Sequence, residues 1–234
     1  MGTVIENVAV GEDVFLMSVQ GAYGGSMGQF YMLRGWEEYP VLSRPLSIHT
    51  LRQDGIEFLY HVAGEGTRLL SGLRPGDPVQ LEGPFGTGFP DVQGRVALVG
   101  GGIGIAPLYY CAQELPGSDV YLGFSRDAYR TEAFRSHAAK LTVNIGGLIL
   151  EHIDYMEYDH VFVCGPQPML KAAQQKAEAA REQGSGVKVY LSLENRMACG
   201  IGACLVCSVS CRDGQRKACA DGPVFQAEEV VFHG

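Results

Sequence analysis

The cysteines of this chain are concentrated near its C-terminus, where five of the seven lie within the last thirty-six residues. Cys199, Cys204 and Cys207 have the C-x₄-C-x₂-C spacing that is typical of plant-type [2Fe–2S] sites, and Cys219 is the candidate fourth ligand. Four thiolates would also suit zinc, but zinc sites usually combine two C-x₂-C pairs. Only Cys204 and Cys207 form such a pair, so the spacing favours iron–sulfur, with a zinc-fastened, non-redox binding protein as the alternative.

The remaining cysteine of this segment, Cys211, is predicted to be a spare thiol. In an extended strand it would lie about 13 Å from Cys207, at ~3.3 Å per residue, which is too far for two ligands of one small cluster. The sequence RDGQ that follows it predicts a hairpin turn. That turn would return the chain so that Cys219 lies near the loop of the other three cysteines.

A glycine-rich turn, VGGGIGIAP at 99–107, follows one predicted strand and opens a predicted helix. Backbone N–H groups at a helix N-terminus favour a phosphate, and glycines let the backbone approach it without side chains in the way. Gly101, Gly102, Ile103 and Gly104 are therefore the candidate dinucleotide contacts. The alternative is a tight strand-to-helix turn that binds nothing.

A second motif, CGPQPML at 164–170, ends another apolar strand. Ligands of open parallel sheets bind outside the carboxyl ends of the strands, so Cys164, Gly165 and Pro166 should face the same cleft as the glycine turn. The alternative is a buried, inert Cys164 followed by loop residues.

A third motif, RPLSIH at 44–49, lies in the first part of the chain. Arg44 is a cation in an otherwise apolar run and is held by the rigid Pro45, which suits a pyrophosphate. Leu46 and Ser47 continue the strand, and Ser47 offers a hydroxyl. The alternative is a surface arginine at a strand edge.

The composition excludes several functional classes. A formal net charge of −8 over 234 residues argues against a nucleic-acid binder. No apolar run reaches the roughly 20 residues of a membrane span, and the N-terminus lacks the basic region of a signal peptide. We therefore expect a cytoplasmic protein with reduced thiols. No Ser–His–Asp or paired-carboxylate pattern is found, so no residue is nominated as catalytic.

The elements that must position these motifs fall into three predicted domains. Residues 1–93 read as strand-like runs broken by glycine turns, which indicates an antiparallel β barrel. Residues 94–190 alternate apolar strands with helices, which indicates a Rossmann-like parallel α/β sheet. Residues 191–234 form a short cysteine-rich tail, and a bound metal centre is expected to fasten it.

The motifs together resemble the ferredoxin–NADP reductase superfamily, and within it the family of electron-transfer subunits of type B dihydroorotate dehydrogenase. The resemblance covers nearly the whole chain. The motifs that occur in the family's order are GQF (28–30), RPLS (44–47), GEGT (64–67), GPFGTGF (83–89), VGGGIGIAPL (99–108), CGPQPML (164–170), ENRMACGIGACLVC (194–207) and CADGPVF (219–225). The cysteine segment joined to DGPVF is the specific part, since the other motifs are shared across the superfamily.

The resemblance implies an FAD-binding barrel, a nucleotide domain that binds NAD, and a small C-terminal [2Fe–2S] domain. The residues that would bind FAD are Arg44, Pro45, Leu46, Ser47, Leu59, Tyr60, His61, Gly66 and Thr67. The residues that would ligate the cluster are Cys199, Cys204, Cys207 and Cys219.

The resemblance also implies a partner, an FMN-containing catalytic dihydroorotate dehydrogenase subunit, in a heterotetramer. Electrons from dihydroorotate would pass through the cluster and FAD to NAD⁺, as a step of pyrimidine (UMP) biosynthesis. The nearest alternative is the same module in an NAD(P)H:ferredoxin oxidoreductase or a sulfhydrogenase gamma-type subunit, because the partner supplies the substrate.

The chain departs from the family's pattern at one turn. Family members often carry a D-G-S-x-G-like turn before the third apolar strand, HVFVCG (160–165), whereas this chain has LTVNIGGLIL at 141–150. The residues expected to contact the adenosine ribose also point to different dinucleotides. Arg126 suits a 2′-phosphate, Asp127 suits a free ribose hydroxyl, and the family favours NAD.

Overall fold

A computed structural model describes residues 1–233 of the chain. Within these residues the strands form three sheets, of seven, six and two strands. The prediction of an antiparallel barrel followed by a parallel α/β sheet is confirmed. No helix in this part of the chain has the length and apolarity needed to cross a membrane.

The seven-stranded sheet is antiparallel and barrel-like, and we refer to it as the barrel sheet. Its strands run in the order β4-β3-β7-β1-β2-β6-β5. They are Gly2–Gly11 (β1), Val14–Gln20 (β2), Phe30–Arg34 (β3), Arg44–Ser47 (β4), Thr50–Arg52 (β5), Gly55–His61 (β6) and Pro78–Phe85 (β7). One short helix, Glu65–Ser71 (α1), follows β6. The interior is filled by large apolar side chains, among them Met17, Leu33 and Phe58, none of which is exposed.

The six-stranded sheet carries the glycine-rich motifs, and we refer to it as the nucleotide sheet. Its parallel strands are Val96–Gly101 (β8), Asp119–Phe124 (β9), Lys140–Ile145 (β10), His160–Cys164 (β11) and Lys188–Ser192 (β12). The helices between them are Ile105–Glu114 (α2), Thr131–Phe134 (α3) and Gln167–Glu182 (α4). Short 3₁₀ turns cover Gly102–Gly104, Ile149–His152 and Tyr155–Glu157.

The order of strands in the nucleotide sheet, β10-β9-β8-β11-β12, places a topological switch point between β8 and β11. The chain leaves β8 towards β9 on one side and later returns to β11 on the other. The ends of the two strands are in register, with Gly100 opposite Cys164. The two glycine-rich motifs therefore meet at the crevice where open α/β sheets bind their ligands.

The cysteine-rich tail contains the predicted hairpin, formed by Ser208–Cys211 (β13) and Gly214–Lys217 (β14), with Cys211 opposite Gly214. A further strand of the tail, Val224–Gln226 (β15), pairs antiparallel with β12 at the edge of the nucleotide sheet. The side-chain amide of Gln174 in α4 donates to the carbonyls of Ala227 and Val230. The tail is thus fastened by a strand and a helix as well as by any metal centre.

The barrel and the nucleotide domain are joined by the buried side chain of His49. Its Nδ1 lies 2.8 Å from the carbonyl oxygen of Ala106 in α2, and its ring stacks on Tyr109 at 4.7 Å. Because a carbonyl only accepts, Nδ1 carries a proton and donates it to this hydrogen bond. Beside it, the Thr50 hydroxyl donates to the Gln113 side chain at 2.6 Å. This contact fixes the start of α2 against the barrel.

We expect His49 to make the fold sensitive to acid. Burial lowers the pKa of His49 from 6.5 to about 3, against the opposing effect of its hydrogen bond to Ala106. Between these pH values the unfolded chain binds a proton at His49 that the folded chain excludes. The contribution of His49 to the free energy of unfolding is therefore fully present above about pH 6.5 and is lost as the pH falls. Lowering the pH from 6.5 to 5 should cost about 1.5 kcal/mol of unfolding free energy at this site.

The measurement is urea unfolding of the wild type and of His49→Gln at several pH values. Glutamine can donate to the Ala106 carbonyl but does not titrate, so the variant should lack this part of the pH dependence. Parallel pH profiles for the two proteins would contradict the expectation.

Candidate functional site

A cavity of about 370 Å³ lies between the barrel and the nucleotide domain. The strands β4 and β6 and the first turn of α1 form its barrel wall, with Pro45, Leu46, Ser47, Leu59, Tyr60, His61 and Thr67. The opposite wall comes from the glycine turn, α2 and the end of β11, with Ile103, Ala106, Pro107 and Cys164. The structure thus brings together seven of the nine residues that the sequence predicted for FAD.

Arg44 and Gly66, the other two predicted FAD residues, pack against each other. The space at Gly66 that a Cβ would fill is occupied by the Arg44 guanidinium, so a side chain at position 66 would displace Arg44. Arg44 donates to the Leu42 carbonyl and lies over the Trp36 ring at 5.6 Å. It takes part in none of the ion pairs found among residues 1–233, so its charge is not neutralised by a carboxylate. A positioned, unpaired cation fits the pyrophosphate of FAD.

Thr67 organises the turn that leads into α1. Its hydroxyl accepts from the N–H groups of Ala63 and Gly64 at 3.0 and 3.2 Å, and donates to the Gly64 carbonyl at 3.0 Å. These bonds hold the GEGT turn beside Arg44. The turn and β4 therefore form one rigid wall for the cavity.

The glycine turn packs closely against the end of β11 and the start of α4. A Cβ at Gly104 would collide with the Cys164 carbonyl, and one at Gly101 would collide with the Met169 sulfur. Gly102 has a positive φ of 55°. Gly104 is therefore required for packing and lies away from the ligand cavities, whereas Gly101, Gly102 and Ile103 line a separate cavity of about 730 Å³ together with Pro166.

Cys164 and Gly165 differ from the expectation that both face the dinucleotide cleft. Cys164 lines the 370 Å³ cavity, and burial raises the pKa of its thiol well above the ordinary range. Gly165 lines neither of these two cavities but a third, of about 310 Å³, between the nucleotide sheet and the tail. The thiol of Cys164 is thus a neutral wall of the predicted flavin site.

Sequence reasoning did not single out Glu194, yet its side chain lines all three cavities. Partial removal from water raises the pKa of its carboxyl. Neither spacing nor periodicity marks this glutamate. The sequence feature that could have identified Glu194 is its position between the end of β12 and the cysteine loop.

The four predicted cluster cysteines are neighbours in the tail. Cys199 interacts with Cys204, and Cys219 interacts with both Cys207 and Cys199. Plant-type [2Fe–2S] sites use four cysteine thiolates. The ligand assignment stays a prediction.

Backbone donors point at these sulfurs. The N–H of Gly202 lies 3.0 Å from the Cys219 sulfur, and the N–H of Cys219 lies 3.4 Å from the Cys207 sulfur. Hydrogen bonds from the N–H groups of Ile201, Cys204 and Ala203 lower the pKa of Cys199 to about 6. Burial raises the pKa of Cys219 to about 12. N–H donors of this kind stabilise the negative charge of thiolates bound to iron.

The cysteine loop lies against the flavin-side cavity and is also open to solvent. Met197, two residues before Cys199, lines the 370 Å³ cavity, and Gly200 packs on Met32 and Phe85 of the barrel. On its outer side the loop exposes three apolar side chains, which we call the cluster-loop patch. They are Ile201, Leu205 and Val206, exposed to 63%, 61% and 55%.

Comparisons with known proteins agree with this arrangement. Residues 194–231 match the family model described as the iron–sulfur cluster binding domain of dihydroorotate dehydrogenase B. The chain is 39% identical to the dihydroorotate dehydrogenase B (NAD(+)) electron transfer subunit of Clostridium acetobutylicum, over 98% of this chain and 96% of that protein. It is 38% identical to the subunit of the same name from Caldanaerobacter subterraneus subsp. tengcongensis, over 98% and 97%.

Two solved structures show the same fold. One is a chain of an NADH-dependent reduced ferredoxin-NADP oxidoreductase, with a TM-score of 0.88, 27% identity and coverage of 99% of this chain and 90% of that one. The other is a cytochrome P450 reductase from Amycolatopsis, with a TM-score of 0.64, 21% identity and coverage of 80% and 68%. The first resemblance includes the cysteine-rich tail, since it spans nearly the whole chain.

We expect Arg44→Ala to weaken FAD binding. The substitution removes a charge-assisted contact worth about 1.5–3 kcal/mol, which corresponds to a roughly ten- to hundredfold higher Kd. The measurement is flavin fluorescence on titration of the apoprotein. Arg74→Ala is the matched control, because Arg74 is also a barrel arginine outside the ion pairs of the described residues and lines none of the three cavities. Equal affinity in the wild type and Arg44→Ala would reject the assignment.

We expect Cys219→Ser to abolish or severely alter the [2Fe–2S] EPR signal, because it removes one thiol of the Cys207–Cys219 pair. Cys211→Ser should leave the signal and the iron content intact. Cys211 is buried in the hairpin, where its backbone forms an isolated antiparallel β-bridge with Val230. It serves as the matched control. The reverse result would show that Cys211 is the fourth ligand.

Proposed function

The chain belongs to the family of electron transfer subunits of dihydroorotate dehydrogenase B, and on this premise we propose that it conducts electrons from a catalytic dihydroorotate dehydrogenase subunit to NAD⁺ in pyrimidine biosynthesis. The observation that carries the proposal is the continuity of three sites. The segment Leu193–Met197 lines the predicted flavin cavity and runs directly into the cysteine loop. Glu194 of the same segment also lines the 730 Å³ cavity.

When bound, the [2Fe–2S] cluster supplies one-electron transfer and FAD supplies the exchange between single electrons and a hydride. The residues of the chain bind and orient these groups. Arg44 and the GEGT turn would hold the pyrophosphate of FAD. Ser47, Tyr60 and His61 would seat the flavin ring, and the apolar and thiol walls at Ala106 and Cys164 would exclude water from its other side.

The partner docks on the cluster-loop patch in this proposal. The patch exposes three apolar side chains next to Cys204, which is itself exposed. An exposed apolar patch is typical of a surface that binds another protein. A partner bound at this patch would lie close to the cluster, which keeps the distance for electron transfer short. We further propose that the donor is an FMN in the catalytic subunit, that two copies of each subunit form a heterotetramer, and that the complex is cytoplasmic.

A second candidate is supported by one observation. The structural relative with a TM-score of 0.88 is an NADH-dependent reduced ferredoxin-NADP oxidoreductase, so the same three-site module also serves a ferredoxin-linked protein. The identity to that chain is 27%, against 39% for the dihydroorotate dehydrogenase B subunit. We therefore favour the dihydroorotate-linked function.

The isolated chain, loaded with FAD and cluster, should oxidise NADH with an artificial electron acceptor but should not oxidise dihydroorotate. Its cavities account for one flavin and one dinucleotide, and dihydroorotate is oxidised on the partner. Addition of the catalytic subunit should establish dihydroorotate-dependent reduction of NAD⁺. Turnover of dihydroorotate by the pure chain would refute the proposal, and reduction of ferredoxin in its place would favour the second candidate.

A further inference from the structure

Three motifs of the chain supply none of the predicted cofactor ligands, yet the structure brings them together at one place. They are GQF (28–30) and GPFGTGF (83–89) of the barrel and DGPVF (221–225) of the tail, and we call their contact the barrel–tail joint. We propose that Gln29 is a positioning residue that fixes, through this joint, the separation between the predicted flavin site and the cluster ligand Cys219. The inference rests on the proposed function, in which electrons cross that separation.

The half-buried side chain of Gln29 holds the turn that follows β7. Its amide nitrogen donates to the Gly86 carbonyl at 2.7 Å, and its amide oxygen accepts from the Ser26 N–H at 2.9 Å. A flipped amide would set two donors against each other at Ser26, so the two bonds fix its orientation. The N–H of Phe89 donates to the Met27 carbonyl at 2.7 Å. Both ends of the 86–89 turn are therefore attached to the segment that carries Gln29.

The same turn holds the tail through its backbone. The N–H of Thr87 donates to the Gly222 carbonyl, and its carbonyl accepts from the Val224 N–H at 3.3 Å, as a parallel bridge to Pro223. Gly86 has a positive φ of 81°, and a Cβ there would lie only 2.5 Å from the Gly222 carbonyl oxygen. The turn and the tail are thus in direct contact, and a shift of one moves the other.

The tail side of the joint is rigidly connected to Cys219. The Lys217 carbonyl accepts from the N–H groups of residues 220–222, and the Lys217 N–H donates to the Asp221 carboxylate at 2.7 Å. These bonds close one compact turn with Cys219 inside it. A displacement of Gly222 is therefore transmitted to the Cys219 sulfur.

The barrel side of the joint lies at the flavin-side cavity of 370 Å³. Phe30, which follows Gln29 directly, and Pro223 both line this cavity. The Pro223 carbonyl also accepts from the N–H of Leu193, another residue of the cavity wall, at 2.9 Å. A misplacement of about 1 Å can change the rate of a reaction between two held groups by as much as about a hundredfold. The bond from Gln29 to Gly86 thus bears on the electron transfer between flavin and cluster.

The test compares Gln29→Ala and Gln29→Glu with a matched control, Gln80→Ala. An ionised glutamate can accept from the Ser26 N–H but cannot donate to the Gly86 carbonyl, so both variants lose the bond that carries the inference. Gln80 is an exposed barrel glutamine whose side chain donates to Glu82 at 2.6 Å. It lines none of the three cavities described above.

The first measurement is hydrogen–deuterium exchange of the holoprotein. The amides of Thr87 and Val224 should exchange about fivefold faster in both Gln29 variants, because the turn has lost one of its hydrogen bonds to the barrel. The second is rapid mixing of the FAD-saturated, cluster-containing protein with NADH, which runs the electron path in reverse. Reduction of the flavin should keep its wild-type rate, whereas reduction of the cluster, followed by EPR after freeze-quenching, should be about tenfold slower. Gln80→Ala should match the wild type in both measurements.

Unchanged reduction of the cluster in the Gln29 variants would overturn the inference and leave the proposed function standing. Equal slowing of flavin and cluster reduction would also overturn it, since that result would show a general effect of Gln29 on the barrel. Absence of cluster reduction by NADH in the wild type would instead reject the proposed function. Flavin and iron contents of each variant establish that a slower rate does not come from a missing cofactor.

Discussion

The structure depends on the close approach of the glycine turn to the end of β11, which requires glycine at position 104. A side chain at Gly104 would strike the Cys164 carbonyl and push the start of α2 away from the sheet. The first turn of α2 provides Ala106 and Pro107 as walls of the flavin-side cavity. Its Ala106 carbonyl also accepts from His49 of the barrel. One backbone contact thus sets the spacing between the barrel, the glycine turn and the 370 Å³ cavity.

The sequence predicted the elements well where the signal is local. The apolar strands, the glycine turns and the hairpin after Cys211 all occur as expected. The addition of β15 to the nucleotide sheet was not predicted, because strand pairing depends on packing between distant segments. The contact of His49 with Ala106 joins positions 57 residues apart and leaves no periodic pattern in the chain.

The sequence predicted the location of a site residue best where a short motif determines the local backbone geometry. Pro45, Leu46, Ser47 and Thr67 of the RPLS and GEGT motifs line one cavity because each motif is a short rigid strand or turn. Gly104 and Gly165 were also predicted as dinucleotide contacts from their type, but they do not line the 730 Å³ cavity that Gly101, Gly102 and Ile103 line. The residue type alone could not separate a glycine needed for packing from one that clears space for a ligand. Glu194 was not predicted because the three cavities that it lines are formed by segments far apart in the sequence.

The pairing of β15 with β12 fixes the two ends of the cysteine loop. Ser192 lies opposite Val224, so the two strands close a loop of about thirty residues that contains all four predicted ligands, and sheet pairing offsets part of the entropy lost in that closure. The loop is further held by the Gln174 side chain and by the contact of Gly200 with Met32. The free-energy cost of ordering this loop is therefore shared between the protein and the metal centre, and does not fall on the metal centre alone.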